Sequence, residues 1–431
     1  MGSERMSAPA AAGVTWFRRE IGRTGLLVAG TGLASALSVL YVVLAGRALG
    51  PERAADFYAG LFLVFVAMTL SSPLMSALAH FAALSAVRGE RRRIAVLRRS
   101  ALRALGVAGA VAALLLVLAW RPLLALGRFE APAALATACL AAWLAALVSV
   151  DRAILRGLQR FGGYCAHLAL ESVLRLGIGL LLLVGAPGAA AALAPYALGA
   201  VASLALGRAM LGEDAAPPVD GTEARRSKTG RSELGRFALP MLALALADAG
   251  YQNFDVLLAK TAFDPAAAGA YGAAAALARA FGALVTPFVI FALPALTAEH
   301  AGGRPTHALM GRTLGSVLAL AAVPLAIVAL RPDEVVRHVL GQAFAPAAPL
   351  LLPLSVSTLI GFLSILLLQE FAALRRFGIA AFYLAGFGVE IACLVRWHAT
   401  PMQVALVALA TKAVVWVALL VAWGARRRRS P

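Results

Sequence analysis

The sequence predicts an all-α polytopic membrane protein of about twelve transmembrane helices, arranged as two parallel-repeat six-helix bundles around a central cavity. Composition is the first reason: 61% of the 431 residues are hydrophobic and 14% charged, with a mean hydropathy of +0.84. A soluble domain is about half apolar and about a quarter charged, so a soluble globule is excluded. Run length is the second reason. A helix needs about 20 apolar residues to cross about 30 Å of hydrocarbon, and such runs recur from residue 25 to residue 423. The third is an internal repeat, developed below.

The runs are rich in Ala, Leu and Val, contain prolines and glycines, and lack the alternation of a membrane barrel strand, so the spans are helical. They fall near 25–46, 56–86, 101–120, 131–151, 163–185, 189–211, 235–260, 265–296, 309–330, 346–372, 377–396 and 401–424. The polar stretch 212–232 is the one long segment of loop composition, and it lies between the sixth and seventh spans. The predicted organisation is therefore an N-terminal segment 1–24, a six-helix bundle 25–211, a linker 212–234, a second bundle 235–424 and a basic tail 425–431. The first residues hold Arg18, Arg19 and Arg23 but no short apolar region followed by a small-residue cleavage site, so the first helix is expected to serve as the insertion signal.

Charge sets the orientation. With both termini in the cytoplasm and the charges at span ends counted with the adjoining loops, 28 of the 39 lysines and arginines fall on the inside and 8 outside, leaving Arg175, Arg279 and Lys412 deep within spans. The positive-inside rule favours that arrangement, in a cell inner membrane with cytoplasmic termini. Arg88, Arg91, Arg92, Arg93, Arg98 and Arg99 form the densest cluster. It reads as a topology determinant, with a docking site for a pyrophosphate as the alternative. The net charge of +18 faces lipid headgroups rather than nucleic acid, since the basic residues lie in loops between spans. Cys139, Cys165 and Cys393 sit at unrelated spacings in apolar runs, as packing residues rather than a metal or disulfide framework.

The repeat has a nearly constant offset. Arg47 and Lys260 are 213 positions apart, as are Tyr58 and Tyr271; Pro51 and Pro265, and Pro73 and Pro287, are 214 apart. LQRFG at 158–162 matches LRRFG at 374–378. An offset of six spans plus a linker restores orientation, giving parallel repeats, and transporters built this way bind substrate between halves that rock. Pro73, Pro287 and Pro240 remove backbone hydrogen bonds inside spans, so they are candidate hinges; static kinks are the alternative.

Ionisable groups in mid-bilayer cost about 2.5–3.5 kcal/mol even on the lenient insertion scale, so they face a cavity or a partner. Arg279 and Lys412 have no acidic neighbour at helical spacing, whereas Glu171 and Arg175 are four apart and can pair on one face. Arg279, Lys412 and Arg175 are the candidate substrate-binding cations of a cationic cavity, which implies an anionic cargo; the alternative is an acidic partner for each on another helix. Asp248, Asp255, Glu171 and Glu390 are candidate coupling or charge-partner groups. Asp248, Tyr251 and Asp255 share one helix face, as a cation site or as a polar stripe between packed helices. No catalytic group, metal-ligand spacing or cofactor motif is present, and the outside loops are short, so an enzyme is not expected.

Four segments, GRALGPERAADFYAGLFLVF, RAILRGLQRFGGYCAHLALESVLRLGIGLLLL, DVLLAKTAFDPAAAGAYGAAAALARAF and APLLLPLSVSTLIGFLSILLLQEFAALRRF, resemble the polysaccharide biosynthesis protein family, Wzx-type O-antigen and oligosaccharide flippases of the multidrug/oligosaccharidyl-lipid/polysaccharide exporter superfamily. The resemblance implies a V-shaped pair of bundles that carries an undecaprenyl-pyrophosphate-linked oligosaccharide from the cytoplasmic to the periplasmic leaflet, coupled to a cation. Implied partners are the lipid-linked oligosaccharide, the bilayer, and a polysaccharide polymerase with its chain-length regulator. A multidrug and toxin exporter and a lipid II flippase resemble the chain too. Asp56 departs from the glycine frequent at its position, where the second repeat has Gly269.

Overall fold

A computed structural model describes residues 8–212, 228–301, 305–374 and 378–427, and these contain helices, turns and short connections without a strand. Most of the expected linker, part of the second LRRFG copy and the end of the basic tail lie outside the described residues. The helices are α1 (Ala8–Val87), α2 (Arg91–Leu118), α3 (Trp120–Gly127), α4 (Pro132–Gly157), α5 (Phe161–Gly185), α6 (Ala189–Leu211), α7 (Lys228–Ala262), α8 (Pro265–Ala301), α9 (His307–Leu330), α10 (Pro332–Val339), α11 (Ala348–Ala373), α12 (Gly378–Arg396) and α13 (Pro401–Arg427), with a 3-10 turn at Gln342–Ala347. Among the described residues nine helices are long and apolar enough to cross a membrane. The protein is thus all-α and multi-pass.

The first two expected spans are one helical element. Its apolar stretch, Ala29–Ala86, has 58 residues, or about 90 Å at 1.5 Å per residue, far more than one crossing of about 30 Å. Gly50 breaks it, with φ 72° and ψ 168°. That φ suits glycine alone, the residue before a proline is driven out of the α region, and Pro51 then starts the second arm with an N–H it does not need. Pro73, a candidate hinge, lies in continuous helix, and Gly50 is the one non-helical position inside α1. Pro240 and Pro287 fall within α7 and α8. These two helices have 35 and 37 residues, enough length to cross.

Packing repeats across the linker. α1 packs on α4 and α5, α4 on α6, α2 on α4, and α5 on α6; correspondingly α8 packs on α11, α7 on α12, α11 on α13, α9 on α11, and α12 on α13. Even the polar clasps correspond. Arg98 of α2 donates to both carboxylate oxygens of Asp151 on α4, at 2.6 and 2.9 Å. On the other side Glu370 of α11 accepts from Thr306, just before α9, at 2.6 Å and from Trp423 of α13 at 2.7 Å. Both carboxylates are wholly buried.

Three apolar cores follow, and their distribution fixes the shape. The first is shared: Phe57, Tyr58, Leu61 and Val64 of α1 lie with Val256 and Ala259 of α7 and with Tyr271, Ala274 and Ala278 of α8. The second belongs to α7–α13, including Val285, Leu296, Met310 and Leu419. The third belongs to α1, α2, α4 and α6, including Met75, Ile94, Ile154 and Leu211. The two helix sets therefore adhere at the Gly50 end and hold separate cores toward the other. Glycines allow the adhesion: a Cβ at Gly269 would strike the Pro51 backbone, and one at Gly272 would strike the Tyr58 side chain.

Gly269→Val is expected to destabilise this contact by about 1–3 kcal/mol, because Pro51 backbone cannot swing aside as a side chain can. Thermal unfolding of the detergent-purified protein reads it as a lowered Tm; an unchanged Tm overturns the assignment of Gly269 to the contact.

Candidate functional site

Arg279 is the residue of α8 immediately after Ala278, the last α8 position in the shared core. It stands where the two helix sets begin to part. Its side chain keeps 21% exposure, its Nη2 lies 3.9 Å from Asp255 Oδ1, and the same nitrogen donates to the Gln252 carbonyl at 2.5 Å. Asp255 Oδ2 accepts from the Tyr271 hydroxyl at 2.8 Å. Of the two readings open from sequence, an acidic partner on another helix is the one that forms for Arg279: Asp255 is on α7, where no spacing along α8 reveals it.

Lys412 is likewise partnered. Its Nζ donates to Ser357 Oγ at 3.0 Å, and the Asp248 and Glu390 carboxylates lie within its electrostatic reach. Glu390 has no solvent exposure; its Oε2 accepts from Thr411 at 3.1 Å, and its Oε1 accepts no hydrogen bond. Asp248 Oδ1 accepts no hydrogen bond, and the Tyr251 ring packs at a tilt, with centroids 4.8 Å from Tyr383 and 5.4 Å from Phe387. The helix face carrying Asp248, Tyr251 and Asp255 thus points into one polar group with Arg279, Glu390 and Lys412. Three carboxylates face two cations there, so an interior of unopposed positive charge is not what forms.

Arg175 belongs elsewhere. It pairs with Glu171, as the four-residue spacing predicts, and Glu171 also pairs with Arg152 of α4. Arg175 donates to Ser38 Oγ at 2.9 Å and lies 4.0 Å over the Tyr196 ring, while Arg152 Nε is 3.4 Å from His167 Nδ1. Every one of these partners is in α1–α6. Arg175 shares no direct partner with Arg279 or Lys412 among the described contacts, and Glu171 is occupied on both oxygens.

Sequence reasoning missed Arg152 and the pairing of Asp56 with Lys260. Asp56 Oδ1 is 2.9 Å from Lys260 Nζ. Its signal was available, since Lys260 and Asp56 both lie in the repeated junction motif. Arg152 gave no such signal, being read as a loop charge at a span end. Among the described residues no three His, Cys, Asp or Glu side chains gather as a metal-ion site, and the three cysteines are unbridged.

The fold defines the class. Over 92% of this chain and 96% of the other, the structure is similar to the inward-facing conformation of a multidrug resistance MATE family transporter of the MOP superfamily, with TM-score 0.70 and 15% identity. It is similar to the lipid II flippase MurJ in an inward closed conformation, with TM-score 0.69 and 12% identity over 93% and 87%. A MOP superfamily transporter from Pyrococcus furiosus, described as having a binding pocket of reverse polarity, gives TM-score 0.63 and 16% identity over 94% and 95%. The chain thus has the fold of MOP-superfamily transporters, and these neighbours are transporters and a flippase, not enzymes. The family follows from sequence: residues 23–298 match the model of the polysaccharide biosynthesis protein family, and the chain belongs to it. No curated protein matches it by sequence.

Glu171→Gln would leave the buried Arg152 and Arg175 without their shared carboxylate. A loss of about 3–5 kcal/mol is expected, seen as a clear fall in thermal midpoint; an unchanged midpoint would show that the network is not structural.

Proposed function

We propose that the protein is a flippase that carries an undecaprenyl-pyrophosphate-linked oligosaccharide from the cytoplasmic to the periplasmic leaflet by alternating access. The observation that carries this is the position of Arg279, a partly exposed guanidinium at the point where two helix sets with a shared core at one end separate toward the other. The charge bias orients the open end toward the cytoplasm, the side on which lipid-linked sugars are assembled in the flippase reading. Two parallel repeats with substrate between them suit such rocking. The Asp255 contact is loose at 3.9 Å, so a phosphate oxygen competes well for a guanidinium that binds such groups bidentately. Lys412 and Arg175, with their close partners, act as internal counter-charges in this reading.

Glu390 is the coupling group of choice. It is buried, has an oxygen without a hydrogen bond, and sits between Lys412 and Asp255 in electrostatic terms, so a proton taken up there alters the charge balance around Arg279 through Asp255. Asp248 is its near neighbour about Lys412. The excess of carboxylates over cations in this set favours one second reading, a multidrug and toxin extrusion-type cation antiporter.

Deletion of the gene is expected to leave lipid-linked oligosaccharide on the cytoplasmic leaflet, with rescue by the wild type and not by Arg279→Ala. Normal surface polysaccharide in a deletion strain without a redundant flippase overturns the proposal, and sensitivity to cationic drugs instead selects the antiporter. Glu390→Gln, nearly isosteric, is expected to fold and reduce proton-driven transport at least tenfold in proteoliposomes, a loss of about 1.4 kcal/mol or more; transport at the wild-type rate removes Glu390 from the coupling step.

A further inference from the structure

Where the two helix sets adhere, an ion pair crosses between them. Asp56, in the second arm of α1, and Lys260, in the last turn of α7, lie with Oδ1 and Nζ 2.9 Å apart, and both residues are 4% exposed. Asp56 is tied into its own set by its other oxygen, which accepts the backbone N–H groups of Glu130 and Ala131 at 3.1 Å each, at the joint between α3 and α4. Lys260 comes from the other set, at a helix C-terminus where a cation is favoured. Near the pair the two sets approach closely, Gly269 against the Pro51 backbone and Gly272 against the Tyr58 side chain. The sets cannot part at this end without separating Asp56 from Lys260.

We infer that Asp56 and Lys260 form a latch that closes the Gly50 end of the molecule and opens when the transporter turns to the other side. The inference rests on the alternating-access reading above. A buried charge whose partner is missing is strongly unfavourable, whereas a paired one roughly balances its desolvation against the attraction. Closure is therefore permitted when the two meet in register and resisted when either is absent. On opening, water reaches both charges and hydrates them, so the pair specifies the closed state without locking it, unlike an apolar contact of the same area.

The repeat shows why there is one latch and not two. The counterpart of Lys260 is Arg47, which is exposed, and the counterpart of Asp56 is Gly269, which has no side chain and lies against Pro51. The duplicated junction thus supplies an ion pair from one side of the pseudo-axis and a close backbone contact from the other. Asp56 is the departure from glycine that the sequence singled out, and the latch gives it a role.

The test is a double-mutant cycle read by distance, with no cargo present. Spin labels replace the exposed Arg99 of α2 and His300 of α8, at the far end from the latch, in full-length protein lacking Cys139, Cys165 and Cys393 and reconstituted in nanodiscs. D56N keeps an oxygen for the two amides and loses the charge; K260M loses the cation. Each single variant is expected to raise the population with a short far-end distance about three- to tenfold, while the double variant, with no charge left unpaired, returns to within about twofold of wild type, as a coupled pair requires. K260R is expected to match wild type. Effects that simply add, or single variants with wild-type distributions, overturn the latch. If D56N does not fold, an unchanged distribution in K260M overturns it alone, since Asp56 there keeps its amide donors. Because no cargo enters the measurement, failure of the lipid-linked sugar reading leaves this result interpretable.

Discussion

A charge cannot be left alone in hydrocarbon, and this one constraint organises the interior. The chain has 39 basic residues and 21 acidic ones, so each carboxylate inside the membrane domain is a scarce resource that joins helices. Glu171 holds Arg152 and Arg175, Asp151 holds Arg98, and Asp56 holds Lys260 and the α3–α4 joint. Asp255 links α7 to α8 through Arg279 and Tyr271. Each such group must be satisfied internally, because lipid offers no hydrogen bonds.

The duplicated packing makes the differences between the two helix sets informative. In α1–α6 Glu171 is paired on both oxygens and Arg175 is covered by Tyr196, while Arg175 Nε and His167 Nε2 make no hydrogen bond. In α7–α13 carboxylate oxygens of Asp248, Asp255 and Glu390 remain without hydrogen bonds, and Arg279 retains exposure. A closed network stiffens a bundle; an incompletely satisfied one can take up a proton, an ion or a phosphate.

Much of this was legible along the chain. The Gly50–Pro51 pair specified the break in α1 through backbone sterics alone, the expected sixth span coincides with α6 at Ala189–Leu211, and the four-residue spacing of Glu171 and Arg175 yielded the pair that forms. The repeat marked Tyr58 and Tyr271, and both enter the shared core. These features depend on neighbours within a helix or on a periodic pattern of apolar residues, and sequence records both directly. Pro73, read as a candidate hinge, sits in α1 where the backbone stays helical.

The sequence by itself determined an all-α membrane protein with repeated, mostly apolar helices and a few costly interior charges. Tertiary structure alone decided the partners of those charges. Arg279 finds Asp255 on another helix, Lys412 finds Ser357 at a separation of 55 residues, and Arg98 finds Asp151 at 53. Helical periodicity reports which residues share a face. Which faces meet depends on crossing angles, on the break at Gly50 and on glycines that admit close approach, and these give cations that look isolated along the chain their partners, with the Arg279 guanidinium left partly exposed.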